Sequence, residues 1–208
     1  MARNYLRTLF TDAMRQLQAA DGSRDAYARM EGDLDDDLQP DALTPNEQEF
    51  IAARDSFYLA SVTEDGWPYV QHRGGPAGFL KVLDANRIGM ADFRGNRQHV
   101  STANIHAEPR VSLFLMDYAN RRRLKIIARA SVVTREQEPH LVSRLMPDGY
   151  KALPERAYLY DVVGWEWNCP QHITRRFTEA EIEQLLQPLV AERNRLRTQL
   201  DALKEQPS

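Results

Sequence analysis

Residues 56–76 read Ser-Phe-Tyr-Leu-Ala-Ser-Val-Thr-Glu-Asp-Gly-Trp-Pro-Tyr-Val-Gln-His-Arg-Gly-Gly-Pro. Ser56 to Thr63 is rich in aromatic and branched side chains. Asp65-Gly66 is a strong tight-turn signal, and Trp67 to Arg73 returns as a second strand. The pattern recurs downstream. Phe79 to Leu83 and Ile88 to Ala91 flank Asp84-Ala85-Asn86-Arg87, and Val111 to Tyr118 and Leu124 to Thr134 flank Ala119-Asn120. Tyr158 to Trp167 reads as a last long strand. Successive short antiparallel strands joined by tight turns predict a β-barrel with helical additions (α+β) rather than an α/β sheet.

Helical spacing surrounds this core. Residues 5–20 place Leu6, Leu9, Phe10, Met14 and Leu17 on one side of a predicted helix. Residues 21–43 turn polar and carry an acidic run from Asp33 to Asp37, which reads as solvated loop without metal-ligand spacing. Thr44-Pro45-Asn46-Glu47 is a helix start, with Thr44 as N-cap, Pro45 at the first helical position and Glu47 in capping-box position. That helix is predicted to end near Arg54. Shorter helices are expected over 98–106 and 136–146. Beyond a second capping box at Thr178–Glu181, Ile182, Leu185, Leu189, Leu196 and Leu203 keep a near-heptad seam. Pro188 predicts a kink or a division there. The chain thus divides into a helical and loop extension (1–45), a barrel domain (46–177) and a helical tail (178–208).

The 208 residues suffice for one cored domain with appendages. A net charge of −3 argues against a nucleic-acid or membrane-surface partner, even for Arg121-Arg122-Arg123. The first twenty residues hold no apolar core of a signal peptide. One cysteine, Cys169, excludes an internal disulfide and fits a reducing, cytoplasmic setting.

Two arginine-and-glycine clusters fall at strand ends. Gln71-His72-Arg73-Gly74-Gly75-Pro76 closes one strand, and Asp92-Phe93-Arg94-Gly95-Asn96-Arg97-Gln98 leads from another into a predicted helix. A loop entering a helix N-terminus favours anions, glycine lets backbone approach them, and arginine offers a charged fork of donors. Lys81, Arg123 and Lys125 follow on neighbouring strands. Neither a Rossmann nor a P-loop fingerprint occurs. In Trp165-Glu-Trp-Asn-Cys-Pro-Gln-His172, a thiol–imidazole pair is conceivable, but no helix N-terminus lowers the thiol pKa, so Cys169 reads as buried and inert. Trp167, Gln171 and His172 read as pocket lining. The five histidines show no metal-binding spacing, so no metal is expected.

The stretch from about Phe50 to Arg135 resembles the pyridoxamine 5′-phosphate oxidase-like family of split-barrel flavin proteins. The segment Trp167 to Ile173 is similar to that of a bacterial branch known only to bind FMN. The resemblance implies a six-stranded antiparallel split barrel and a homodimer with FMN at its interface. By the same resemblance Arg73 and Lys81 take places similar to those of an arginine that precedes a strand and the lysine that ends it. Gly95-Asn96-Arg97 resembles a Ser-Arg-Lys phosphate loop. Arg122-Arg123-Leu124-Lys125 resembles an Arg-Gln-Val-Arg strand, setting Arg123 and Lys125 near phosphate or ring. Trp167 matches a closing tryptophan from the other subunit.

The motif that handles the B6 vitamer is replaced here by Gln171-His172-Ile173-Thr174-Arg175, so vitamin B6 oxidation is not implied. The implied function is an FMN-dependent oxidoreductase acting on a small molecule. Its phosphate contacts would be Arg73, Arg97 and the Gly95 and Asn96 backbone, with Lys81 or Lys125 behind them, its ring contacts Gln71, His72 and Trp167, and its candidate proton donor His172. Gly74, Asp92, Gln98, Arg123 and Gln171 complete the expected cofactor-binding set. The rivals are a non-catalytic, redox-sensing flavin binder, and a split barrel that binds haem or F420.

Overall fold

A computed structural model describes residues 3–32, 39–95 and 97–204; the acidic run from Asp33 to Asp37 and the candidate ligand Asn96 lie outside the described residues. The chain forms two compact units, Met1–Asp117 with Arg122–Pro170, and Tyr118–Arg121 with Gln171–Ser208.

The first unit is built on seven antiparallel strands, one more than expected: β1 (Ser56–Val62), β2 (Pro68–Gly74), β3 (Leu80–Asp84), β4 (Arg87–Phe93), β5 (Arg110–Asp117), β6 (Arg122–Thr134) and β7 (Pro154–Trp167). Their hydrogen-bonded order is β2-β1-β5-β6-β7-β4-β3. β2 and β3 are therefore the two edges. Yet Arg73 on β2 donates to Asp92 on β4 at 2.8 Å and to Tyr158 on β7 at 3.2 Å. Side chains from one edge reach strands beside the other only if the sheet curls on itself. The architecture is a split barrel whose seam is closed by side chains rather than by a ladder.

Strand alternation fills the interior. Phe57 and Leu59 of β1, Leu113 and Leu115 of β5, Leu124 and Ile126 of β6, and Tyr158 and Tyr160 of β7 are each at most 1 % exposed. Gly75 permits this closure. A Cβ there would lie 2.8 Å from Phe79 Cβ, and Phe79 stacks on Phe57 at 5.9 Å. Gly78 turns at φ 83°. The glycine run after Arg73 thus serves the turn and the core.

Two irregularities in β7 matter. Between the β6 pairs Ile127–Gly164 and Ala128–Val162, Val163 is the extra residue of a bulge. Its carbonyl accepts from Asp41 N at 3.1 Å and from Asn4 Nδ2 at 2.7 Å. Asp41 in turn accepts from the amides of Asn4 and Tyr5, at 3.0 and 2.8 Å. This pins α1 (Arg3–Leu9) on the sheet, where Tyr5, Leu6 and Phe10 cover Ile127 and Trp165. In the second bulge the β4 pairs run Asp92–Arg156 then Phe93–Pro154, leaving Glu155 as the extra residue.

The helices correct several expectations. The helix predicted over 5–20 breaks at Thr11, whose Oγ1 caps α2 (Asp12–Ala20) by accepting from Met14 N at 3.3 Å. Of its apolar stripe, Leu6 and Phe10 are buried, while Leu9, Met14 and Leu17 are exposed. The segment read as loop contains α3 (Arg24–Glu31). Its buried contact is polar, with Glu31 paired to Arg15 at 3.0 Å and to Arg24. α4 (Pro45–Ala52) has the predicted capping box, α5 spans Val100–Ala107 and α6 Pro139–Arg144. In the second unit, α7 runs unbroken from Glu179 to Lys204 through Pro188.

Candidate functional site

The closed seam leaves a cavity of about 100 Å³, lined from β2 by Tyr69, Gln71 and Arg73, from β4 by Asp92 and Phe93, and from β7 by Glu155, Arg156 and Tyr158. The loop residues Gly95, Arg97 and Gln98 and the first turn of α5 complete it. Its lining is mostly guanidinium, hydroxyl, amide and carboxylate groups, which suits an oxyanion better than an apolar ring system.

β2 contributes by its period of two. Tyr69, Gln71 and Arg73 share the inner face, and Tyr69 Oη donates to Gln71 Oε1 at 2.5 Å. Arg73 is held on three sides, by Asp92, by the Tyr158 hydroxyl and by the Tyr158 ring 4.7 Å beneath its guanidinium. Tyr158 also shares a 2.6 Å hydrogen bond with Thr102 of α5. Burial pushes the Asp92 carboxyl above the usual range, against the pull of Arg73 and Arg156.

The bulge turns Glu155 into a ring of arginines. Its Oε1 accepts from Arg94 Nε at 3.0 Å and Arg97 Nη2 at 3.2 Å, and its Oε2 from Arg156 Nη2 at 3.3 Å. Arg156 also donates to His99 Nδ1 at 3.2 Å. Burial would raise the Glu155 carboxyl, but the Arg94 hydrogen bond, the largest influence, and those from Arg97 and Arg156 hold it below its ordinary value.

The approach to α5 is strained in a way that suits an anion. Arg97 and His99 both sit in the left-handed region, at φ 58° and 57°, unusual for residues with side chains. Such turns point successive amides inward, and the helix N-terminus adds its own open N–H groups. Ser101 Oγ and Arg73 Nε are buried beside the cavity without a hydrogen-bond partner. Unpaired buried donors are costly, so their presence marks a place where an acceptor belongs.

Residues 43–166, more than half of the chain, match the family model described as pyridoxamine 5′-phosphate oxidase. The chain belongs to the pyridoxamine 5′-phosphate oxidase family. Among solved structures, HupZ of Group A Streptococcus is similar at a TM-score of 0.50 and 12 % identity, over 65 % of this chain and 99 % of that one. A putative pyridoxamine 5′-phosphate oxidase from Lactobacillus delbrueckii gives 0.48 and 18 %, over 62 % and 97 %. An FMN-binding protein from Syntrophomonas wolfei gives 0.46 and 13 %, over 59 % and 83 %. No curated protein matches the chain.

Within this family fold, the structure gathers six of the candidate residues in one cavity: Gln71, Arg73, Asp92, Gly95, Arg97 and Gln98. The other described candidates of the first unit do not line it. His72 lies on the opposite face of β2, its ring 5.7 Å from that of Tyr58, because neighbouring strand residues point to opposite faces. Gly74 shares that outer face, and Lys81 sits on β3 opposite Gly89. Lys125 is paired with Glu166 at 2.6 Å near Tyr5. Arg123 packs against Asn168, whose backbone amide donates to the Arg123 carbonyl at 3.2 Å. Trp167 is bound within its own chain. Its Nε1 donates to Glu47 at 2.6 Å, its ring meets Phe50 edge-on at 4.7 Å, and Arg122 covers it at 4.4 Å.

Gln171 and His172 belong to the second unit, where both are exposed and His172 has φ 62°. Cys169, read as buried, is exposed, two residues beyond the end of β7. Sequence reasoning missed Tyr69, Ser101, Thr102, Glu155, Arg156 and Tyr158. For Tyr69 the signal was present in the strand period.

Proposed function

We propose that this chain binds FMN non-covalently, with its 5′-phosphate in the Arg73–Arg97–Arg156 cavity, and serves as a homodimeric FMN-dependent oxidoreductase acting on a small molecule. The observation that carries this reading is the set of unsatisfied donors beside one small, polar cavity. Ser101 Oγ, Arg73 Nε and the first-turn amides of α5 all suit a phosphate, and three arginines outnumber the two carboxylates. Family membership supports the redox part.

A bound flavin would supply hydride and electron transfer. The chain's own part is anchoring. Arg97, more than half exposed, swings from Glu155 to the incoming phosphate, while Arg73 and Arg156 stay fixed by Asp92. Ser101 and the α5 amides fill the remaining acceptor positions. Tyr69 and Gln71, bonded to each other, would meet whatever extends from the phosphate.

Titration with FMN and with riboflavin, which lacks the phosphate, tests the assignment. FMN should bind roughly ten to a hundred times more tightly than riboflavin, and inorganic phosphate should compete. Equal affinity for both flavins would place the phosphate elsewhere.

A further inference from the structure

The helix α7 presents a surface that the flavin chemistry does not use. Its 26 residues extend about 39 Å at 1.5 Å per residue. Ile182, Leu185, Leu186, Leu189, Leu196 and Leu200 are 45–66 % exposed. At about 100° per residue they fall within roughly 60° of one line along the helix, and Pro188 falls outside that stripe. An apolar stripe of this length is the mark of a helix that packs against a partner.

Charge selects the partner. Glu179, Glu181 and Glu183 occupy the first turns, and no lysine or arginine precedes Arg193 in the helix. Arg193, Arg195, Arg197 and Lys204 then outnumber Glu192 and Asp201. Two parallel copies would set acid beside acid and base beside base. Two antiparallel copies set the acidic half of each along the basic half of the other, and oppose their helix dipoles favourably. Glu192 and Arg193 interrupt the stripe near its middle. A two-fold axis between them puts each Glu192 across from Arg193 of the second copy. In that register Leu189 meets Leu196 of the second copy, and Leu185 meets Leu200. In the single chain Glu192 instead bonds Arg195 at 2.8 Å, and Arg193 bonds Asn194.

We propose that α7 is a homotypic docking surface, pairing antiparallel with α7 of a second copy about a two-fold axis between Glu192 and Arg193. The inference does not depend on the cofactor.

Disulfide mapping in the full chain, with Cys169→Ser as background, tests it. Leu189→Cys chains and Leu196→Cys chains should each resist cross-linking alone and cross-link when mixed, because a disulfide needs Cβ atoms within about 4.5 Å. Cross-linking of each variant with itself would mean a parallel pair. No cross-link in the mixture would mean that α7 packs on its own chain or on another protein. Either result overturns the proposal. Glu192→Arg should lower the mixed cross-linking rate several-fold, and Glu192→Arg with Arg193→Glu should restore it. Restoration cannot come from the Glu192–Arg195 pair, which the double variant does not rebuild; failure to restore would remove the proposed axis.

Discussion

Arg73 and Arg97 bring the same charge to one cavity, but their surroundings give them different duties. Arg97 is more than half exposed and paired with the surface-facing Glu155, so Arg97→Ala should leave the fold intact. It should weaken FMN binding by about 1.5–3 kcal/mol, or one to two decades, in a fluorescence titration. Arg73 is 17 % exposed and neutralises Asp92, so Arg73→Ala leaves that carboxyl with Arg156, 3.5 Å away, as its remaining described ion-pair partner. It should cost about 2 kcal/mol of stability in urea unfolding, even without flavin. Glu155 acts as a competing anion for Arg94, Arg97 and Arg156. Glu155→Gln should therefore tighten FMN binding several-fold; weaker binding would mean that Glu155 orients the arginines instead. Asp92 gives a pH test. Its carboxyl is raised by burial, so its contribution to stability is fully present below the ordinary carboxylate pKa and lost as pH rises through the raised value. Asp92→Asn should flatten that part of the stability–pH curve. Arg73, Asp92 and Arg97 were legible because charge beside glycine at strand ends is a local signal. Glu155 and Tyr158 were not, since only the β4–β7 pairing brings them to the loop.

The elements show the same division. Hairpins and capping boxes are short-range chemistry, and the turns at Asp65-Gly66 and the cap at Thr44–Glu47 stand where the sequence put them. α3 was hidden because its buried contact is a carboxylate between two arginines, and apolar periodicity cannot report that. Glu31 is 1 % exposed. Burial would raise its carboxyl, but hydrogen bonds from Arg24 and Arg15 hold it below the ordinary value. The stabilisation is therefore present above the ordinary carboxylate pKa and lost as pH falls through the lowered one. Hydrogen exchange should show α2 and α3 opening in acid before the barrel strands do. Glu31→Ala should open them at neutral pH, costing about 2 kcal/mol. The seat of α1 is steric as well as polar. A Cβ on Gly164 would lie 2.5 Å from Tyr5 N and 2.7 Å from Tyr5 Cα, and backbone cannot turn aside as a side chain can. Gly164→Ala should cost about 1–3 kcal/mol as overpacking, and expose Tyr5 to solvent quenchers. Normal stability in that variant would show that α1 adds little to the fold.

At the scale of the molecule, the outer face of β1 and β2 is the feature the barrel does not consume. Tyr58, Val62 and Val70 are 37–61 % exposed there, and Trp67 at the head of β2 is 72 % exposed. The same two strands send Phe57 and Leu59 into the core and Tyr69, Gln71 and Arg73 into the cavity. One side of this hairpin is thus committed to core and cavity, and the other carries apolar surface into water. A patch of this kind on a curled sheet edge is what a second copy would cover. The cavity is small and lined mostly by polar and charged groups, so a flavin whose phosphate sat there would carry its ring beyond it, and an interface along this hairpin would shelter the ring. Val70→Asp tests the connection, because it charges the outer face while leaving every cavity residue in place. The proposed α7 pairing would hold two copies together by itself, so the deciding measurement is flavin affinity rather than molecular mass. FMN binding should weaken at least tenfold, while inorganic phosphate, which needs only the cavity, should bind as it does to the parent chain. If both ligands bind Val70→Asp as they bind the parent, each flavin site is complete within one chain and the hairpin's outer face serves another purpose.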